Sequence, residues 1–124
     1  MLRLLVVDDE ADVCDFVRNF FKERNFEVSV AYDGKKAVET VKTESPDIVL
    51  LDVKMPEMDG MEALKEILKI DASKKVIMIT AVDDVDQIEE AKRCGAVEYI
   101  TKPLILEQLE RTVMAVAEQV KAGI

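Results

Sequence analysis

The sequence lacks histidine entirely and contains only two cysteines in 124 residues. Without histidine, zinc sites of the usual Cys/His type and any mechanism that needs a histidine base are excluded. Cys14 and Cys94 are far apart in the chain, and we expect both to be free thiols in a reducing compartment. No apolar run is long enough to span a membrane and no signal peptide precedes the first predicted strand, which predicts a cytoplasmic protein without a membrane partner.

Positive charge is also scarce, because 17 lysines and arginines face 26 aspartates and glutamates, for a net charge of −9. This balance argues against direct nucleic-acid binding, since phosphate contacts need clustered cations. It suits a protein that meets a metal cation or a basic partner. With 49% hydrophobic residues the chain is too apolar for a disordered acidic tail. We expect residues 1–124 to form a single domain, with no output domain.

Short β-rich apolar runs alternate with longer stretches of helical periodicity. The first helical stretch, for example, places Val13, Phe16, Val17, Phe20 and Phe21 on one face. The pattern predicts strands at 2–7, 27–31, 47–51, 75–80 and 97–101, and helices at 10–24, 34–44, 60–70, 84–94 and 104–122.

Five strand–helix units in strict alternation predict an α/β fold with a parallel sheet and helices on both faces. The run "DIVLL" at 47–51 is apolar on both faces, as a central parallel strand requires. Right-handed crossovers leave an open, doubly wound sheet of order 2-1-3-4-5, a flavodoxin-like arrangement, as the natural solution.

Chemically active side chains follow four of the five predicted strands. Asp8 and Asp9 follow the first, Asp52 the third, Thr80 the fourth and Lys102 the fifth. Ligands of such sheets bind beyond the carboxyl ends of the strands, so these groups should converge. Three close carboxylates repel one another unless a cation lies among them, and a hard ion with oxygen ligands, best Mg²⁺, resolves the conflict.

A simpler interpretation is that Asp8 and Asp9 only stabilise the start of the first helix. Acidic residues there contribute about 0.3–1 kcal/mol each. Asp52 and Lys102 could likewise be ordinary loop and surface residues. The placement of all five groups at successive strand ends favours the shared site.

At these positions the sequence closely resembles the receiver domain of bacterial two-component response regulators. The resemblance covers essentially the whole chain and is carried by four motifs in a fixed order and spacing. They are "VVDDE" at 6–10, "VLLDVKMPEMDG" at 49–60, "VIMITA" at 76–81 and "GAVEYITKP" at 95–103.

The resemblance implies a role for each residue of the cluster. Asp52 would accept a phosphoryl group from a sensor histidine kinase or a histidine phosphotransfer protein. Asp8, Asp9, Asp52 and the backbone carbonyl of Lys54 would hold Mg²⁺, for which Mn²⁺ is a possible substitute. Thr80 would then donate its hydroxyl to a phosphoryl oxygen.

The family pattern also assigns Lys102, which would pair with Asp52 and then with the phosphoryl group. Pro103 would follow a cis peptide bond that aims this lysine inward. Tyr99 matches the switch aromatic of the family, and its rotation would change a surface formed by the fourth helix, fifth strand and fifth helix, roughly 84–122. That surface would then contact a downstream output domain or target protein.

Two positions flank the path of the hydrolytic water in the family, Lys54 and Val82. Val82 is apolar where many relatives are polar, and Lys54 is a long cation where relatives vary. We expect both to influence the lifetime of the phosphoryl group, with unknown sign. A receiver would catalyse only its own phosphorylation and dephosphorylation, and would not be an enzyme with small-molecule turnover.

Two other classes compete with the receiver. The first is a Mg²⁺-dependent phosphohydrolase with an aspartyl nucleophile, which commonly carries a second Asp two residues after the first; Lys54 stands there. The second is a flavin- or nucleotide-binding module, for which "DDEAD" at 8–12 would repel a phosphate.

Overall fold

The computed structural model describes residues 1–55, 58–80 and 85–123 of the chain. Strands and helices alternate throughout, as predicted, with boundaries within two residues of those expected from the sequence. The elements are β1 Arg3–Val7, α1 Ala11–Lys22, β2 Glu27–Ala31, α2 Gly34–Glu44, β3 Ile48–Asp52, α3 Gly60–Ile70, β4 Lys75–Thr80, α4 Val85–Arg93, β5 Glu98–Thr101 and α5 Leu106–Ala122. No helix within these ranges is both long and apolar enough to cross a bilayer.

The five strands form one parallel sheet in the order β2-β1-β3-β4-β5, which confirms the predicted topology. Every residue of β3 is buried, because helices cover both faces of this central strand. From β1 the chain adds β2 on one side and then crosses back to add β3 on the other side of β1. At this topological switch point the carboxyl ends of β1 and β3 lie side by side.

Alternate residues of the strands supply two separate hydrophobic cores, one on each face of the sheet. Leu5 and Val7 face the core that α2, α3 and α4 cover. Leu4 and Val6 face the core beneath α1 and α5. The period-two alternation of a strand therefore explains why both faces of β1 are apolar.

Two Asp-Gly pairs set the starts of helices beside the sheet. The Asp33 carboxylate accepts a hydrogen bond from the backbone N–H of Lys36 at 2.7 Å, and the Asp59 carboxylate accepts one from Glu62 at 2.9 Å. Each aspartate thereby satisfies a backbone donor that the first helical turn leaves free. These caps explain why α2 and α3 begin at the predicted glycines.

Phe16, which the helical period places on the apolar face of α1, is 51% exposed. The residues of α1 that are buried are Cys14, Val17 and Phe21, a narrower stripe at steps of three and four. Because α1 meets only one sheet face, a side chain flanking this stripe stays at the surface. Phe16 instead lines a groove of about 350 Å³ together with Pro103 and neighbouring residues of α1 and of the segment after β5.

Candidate functional site

The carboxyl ends of the central strands carry three buried polar side chains. Asp8 is 1% exposed, Asp52 3% and Thr80 3%. Val7 pairs with Leu51, and this register places the next residues, Asp8 and Asp52, at neighbouring strand ends. Such burial of polar groups is costly unless each is paired or bound. The structure therefore concentrates unusual polar chemistry where the sequence predicted it.

Lys102 connects the two buried carboxylates. Its ammonium donates a hydrogen bond to Asp52 Oδ2 at 3.1 Å and lies 3.7 Å from Asp8 Oδ2. The backbone N–H of Lys102 donates to the carbonyl of Thr80 at 2.8 Å, which continues the β4–β5 pairing one step beyond the strands. The peptide bond from Lys102 to Pro103 is cis, the geometry that the family resemblance implied.

Burial and neighbouring charges shift the pKa values of two side chains here, Lys102 and Asp8. Burial, the largest influence on Lys102, favours the neutral amine. The hydrogen bond that Lys102 donates to Asp52 and the charges of Asp52, Asp8 and Glu10 outweigh burial and raise the pKa of Lys102. Burial is also the main cause that raises the pKa of Asp8, opposed by the N–H of Glu10. The ionised form of Asp8 is thus poorly solvated and would gain from a bound cation.

The carboxylates of Asp8, Asp9 and Glu10 form a cluster that fits a metal ion. Ligand oxygens of all three lie within 4.8 Å of one another. Asp8 Oδ1 accepts the backbone N–H of Glu10 at 2.9 Å, whereas Asp8 Oδ2 is buried without a hydrogen-bond partner among the described residues. A buried carboxylate oxygen that accepts no hydrogen bond from a described residue, beside two exposed carboxylates, is a donor set suited to a hard divalent cation.

Glu10 also belongs to this cluster of carboxylates. The resemblance assigned the metal to Asp8, Asp9, Asp52 and the backbone carbonyl of Lys54, without Glu10. Asp52 lies outside that cluster and meets Asp8 through Lys102. The third acid of "DDE" was the available signal for Glu10.

The backbone N–H of Lys54 and the hydroxyl of Thr80 differ in their hydrogen bonding. The backbone N–H of Lys54 donates to Asp52 Oδ1 at 3.2 Å, while the Lys54 side chain points to solvent. Thr80 Oγ1 is buried and has no partner among the residues described. A hydroxyl with an unused donor at this edge can serve an incoming anion. Val82 lies outside the described residues.

Tyr99 lies one strand from Thr80 on the same face of the sheet. The register pairs Met78 with Tyr99 and Thr80 with Thr101. Met78 and Tyr99 both contact the core under α2, α3 and α4, and Thr80, two residues after Met78, shares that face. The Tyr99 ring is half-buried.

Two supporting residues escaped the sequence analysis. A Cβ at Gly60 would overlap the carbonyl oxygen of Asp52 and lie 2.6 Å from Val53 Cα, so only glycine lets α3 approach the end of β3 this closely. The thiol of Cys14 donates to the carbonyl of Asp8 at 3.3 Å and joins α1 to the end of β1. In the sequence, the Asp-Gly pair at 59–60 indicated a turn. It did not indicate the close approach of Gly60 to the end of β3.

Comparison with known proteins agrees with the fold. The family model for the response regulator receiver domain matches residues 4–114. The chemotaxis protein CheY of Listeria monocytogenes is 42% identical over 116 residues, which cover 90% of this chain and 98% of CheY. The regulatory protein AtoC of Escherichia coli is 41% identical over 107 residues, but this chain covers only 23% of its length.

Solved structures give the same picture. A response regulator receiver domain protein from Clostridium thermocellum superposes with a TM-score of 0.91 at 28% identity, with full coverage of both chains. This chain is thus similar both to relatives of its own length and to one segment of a much longer regulator.

Proposed function

This chain belongs to the response regulator receiver family of two-component systems, and from that premise we propose that it is a switch controlled by phosphorylation of Asp52. Receiver domains of this type act in signalling, not as classical enzymes. The observation that carries the proposal is the contact between the buried Asp52 carboxylate and the Lys102 ammonium, at the strand edge where ligands of this fold bind.

The chemistry needs a positioned oxygen nucleophile and positive charge around the phosphoryl oxygens. An oxygen of Asp52 would attack phosphorus in line, forming a P–O bond as the P–N bond to the donor imidazole breaks. The departing imidazole nitrogen keeps the electron pair. Lys102 is placed to neutralise charge on Asp52 before transfer and on the phosphoryl oxygens afterwards.

We assign the metal role to Asp8, Asp9, Asp52 and the backbone carbonyl of Lys54. The buried oxygen of Asp8 that accepts no hydrogen bond from any described residue, together with the neighbouring carboxylates, supports this assignment. Mg²⁺, or Mn²⁺ in its place, would supply positive charge to the phosphoryl oxygens when bound. Glu10 stands close enough to support the same ion, directly or through water.

The output of the switch begins at Thr80. Its buried hydroxyl, which has no hydrogen-bond partner in the part of the chain that the structure describes, is suited to donate to a phosphoryl oxygen on Asp52. Movement of Thr80 would alter the packing of Tyr99 on the same sheet face. The surface of α4, β5 and α5 would then change its affinity for a partner.

The partners follow from the chemistry and the relatives. The phosphodonor would be a sensor histidine kinase or a histidine phosphotransfer protein, since Asp52 accepts from a phosphohistidine in this scheme. The downstream partner would be an output domain or a separate target protein. Both arrangements suit the comparisons, because CheY matches over nearly its whole length and AtoC over 23%.

Phosphoryl lifetime would depend on Lys54 and Val82. The backbone N–H of Lys54 donates to the Asp52 carboxylate, and Lys54 itself is exposed. Lifetimes of the acyl phosphate in the wild type, Lys54→Asn and Val82→Glu test the assignment. Equal lifetimes in all three proteins would refute it.

The main test is direct phosphorylation. The protein is incubated with acetyl phosphate and Mg²⁺, and the acyl phosphate is mapped by mass spectrometry. We expect one phosphoryl group on Asp52, absent in Asp52→Asn and absent when the metal is chelated. Modification elsewhere, or none, contradicts the proposal, and rapid multiple turnover of a phosphoester would favour the phosphohydrolase.

A further inference from the structure

A cation covers the ring of Tyr99 in this structure. The Lys92 ammonium lies 4.7 Å from the ring centroid, within the range of a favourable cation–π interaction. Lys92 belongs to the last turn of α4, whereas Tyr99 lies in β5. The contact therefore links the helix and the strand that flank the proposed switch.

We propose that Lys92 is a positioning residue that holds the Tyr99 ring in its half-buried surface orientation. In that role Lys92 favours the resting state of the switch, an inference that rests on the proposed function. Movement of the ring toward Thr80 would separate it from the ammonium. The contact with the Lys92 ammonium thus opposes the movement of the Tyr99 ring that phosphorylation of Asp52 would favour.

Among the described residues, no ion pair of Lys92 competes with its contact to the Tyr99 ring. Within residues 1–55, 58–80 and 85–123, no carboxylate lies within 4.0 Å of its ammonium. The Lys92 side chain is exposed and α4 ends one residue later. An exposed lysine normally samples many rotamers, so a ring beneath its ammonium selects one of them.

Apart from Lys92, the described residues restrain the Tyr99 ring from its inner side. Its inner side packs on the core under α2, α3 and α4, while its hydroxyl makes no hydrogen bond to any described residue. Since no residue in the described ranges holds the hydroxyl, a modest interaction is sufficient to bias the orientation of the ring. A cation–π contact at an exposed site corresponds to about a twofold to fivefold change in an equilibrium.

Tyrosine is a convenient reporter in this chain, because there is no tryptophan and Tyr32 is the other tyrosine. In a Tyr32→Phe background, fluorotyrosine at position 99 gives one fluorine NMR signal. Its position and its H₂O/D₂O solvent shift measure the exposure of the ring. We compare Lys92→Met, which keeps length and helix propensity, with Lys92→Arg, which keeps the charge.

Arg93→Met is the matched control. Arg93 is exposed and lies in the same last turn, so its loss changes net charge and the helix terminus equally. We expect Lys92→Met to reduce the exposed fraction of Tyr99, with a change of about twofold to fivefold in the ratio of the two orientations. Lys92→Arg should retain the wild-type signal, and Arg93→Met should do the same.

An unchanged Tyr99 signal in Lys92→Met, or an equal change in Arg93→Met, would overturn the inference. A second measurement adds acetyl phosphate and Mg²⁺. If phosphorylation moves the Tyr99 signal in the wild type, and Lys92→Met leaves that signal unchanged, the switch is supported and the role of Lys92 is rejected. If Lys92→Met changes the Tyr99 signal, and acetyl phosphate changes it in none of the variants, the role of Lys92 on the ring is supported and the switch is rejected.

Discussion

The ammonium of Lys102 lies 3.1 Å from Asp52 Oδ2, although 50 residues separate the two in the chain. The same ammonium lies 3.7 Å from Asp8. Both carboxylates are almost completely buried, whereas the Lys102 side chain is 35% exposed. One partly exposed cation therefore compensates two buried anions.

Replacing this cation should destabilise the metal-free protein. In chelator, Lys102→Met leaves Asp8 and Asp52 facing each other without the ammonium, and we expect a loss of about 1–3 kcal/mol in the free energy of unfolding. Urea denaturation measures it. The double variant Lys102→Met/Asp52→Asn should recover most of the loss, since it removes one of the two anions. Additive effects of the two substitutions would show that the pair is not coupled.

The raised pKa of Asp8 predicts a pH dependence. The folded-state pKa lies above the ordinary value of 3.8, so the native state binds more protons than the unfolded state between these values. Stability attributable to Asp8 is then complete below 3.8 and falls as pH rises through the folded-state pKa. In chelator, Asp8→Asn should gain stability relative to the wild type over this interval. Unfolding free energies measured across acidic to neutral pH check it.

Asp71→Asn provides a control of opposite sign. Hydrogen bonds from the hydroxyl and the backbone N–H of Ser73 lower the pKa of the exposed Asp71. Its stabilising contribution is therefore present above the unfolded pKa and is lost as pH falls through the folded one. The same pH trend for Asp8→Asn and Asp71→Asn would contradict our account of both.

Gly60 should tolerate no larger residue. A methyl group in Gly60→Ala overlaps the carbonyl of Asp52, so α3 and β3 must separate. We expect a loss of about 1–3 kcal/mol in unfolding free energy and slower phosphorylation by acetyl phosphate. In Gly123→Ala the methyl group meets no atom within 4 Å, and phosphorylation should keep its wild-type rate. Equal rates in all three proteins would show that the close approach is dispensable.

The two thiols should differ in reactivity. Burial, followed by the charge of Asp8, raises the pKa of Cys14 to about 11, and the residue has no exposed surface. Cys94 is partly exposed. At about pH 8, iodoacetamide should label Cys94 in the native protein and Cys14 only after unfolding. Mass spectrometry of Cys94→Ser, which retains Cys14 alone, checks this, and rapid native labelling there would refute the buried position.

The alternation of apolar runs was sufficient to predict the strand order, and the acids at the carboxyl ends of β1 and β3 predicted the edge that carries the candidate site. Both follow from local rules, because period and strand polarity are written along the chain. The sequence did not predict that Phe16 is exposed, since its spacing alone suits the buried face. Which flank of a helix meets the sheet depends on how the helix is packed.

Pairings between distant elements were decided by the tertiary structure alone. The register of β1 with β3 sets Asp8 beside Asp52, and the segment after β5 returns Lys102 to both. The packing of α4 beside β5 places Lys92 over Tyr99. Sequence determines which chemical groups stand at each strand end; the distances between them depend on register and helix packing, which no local pattern records.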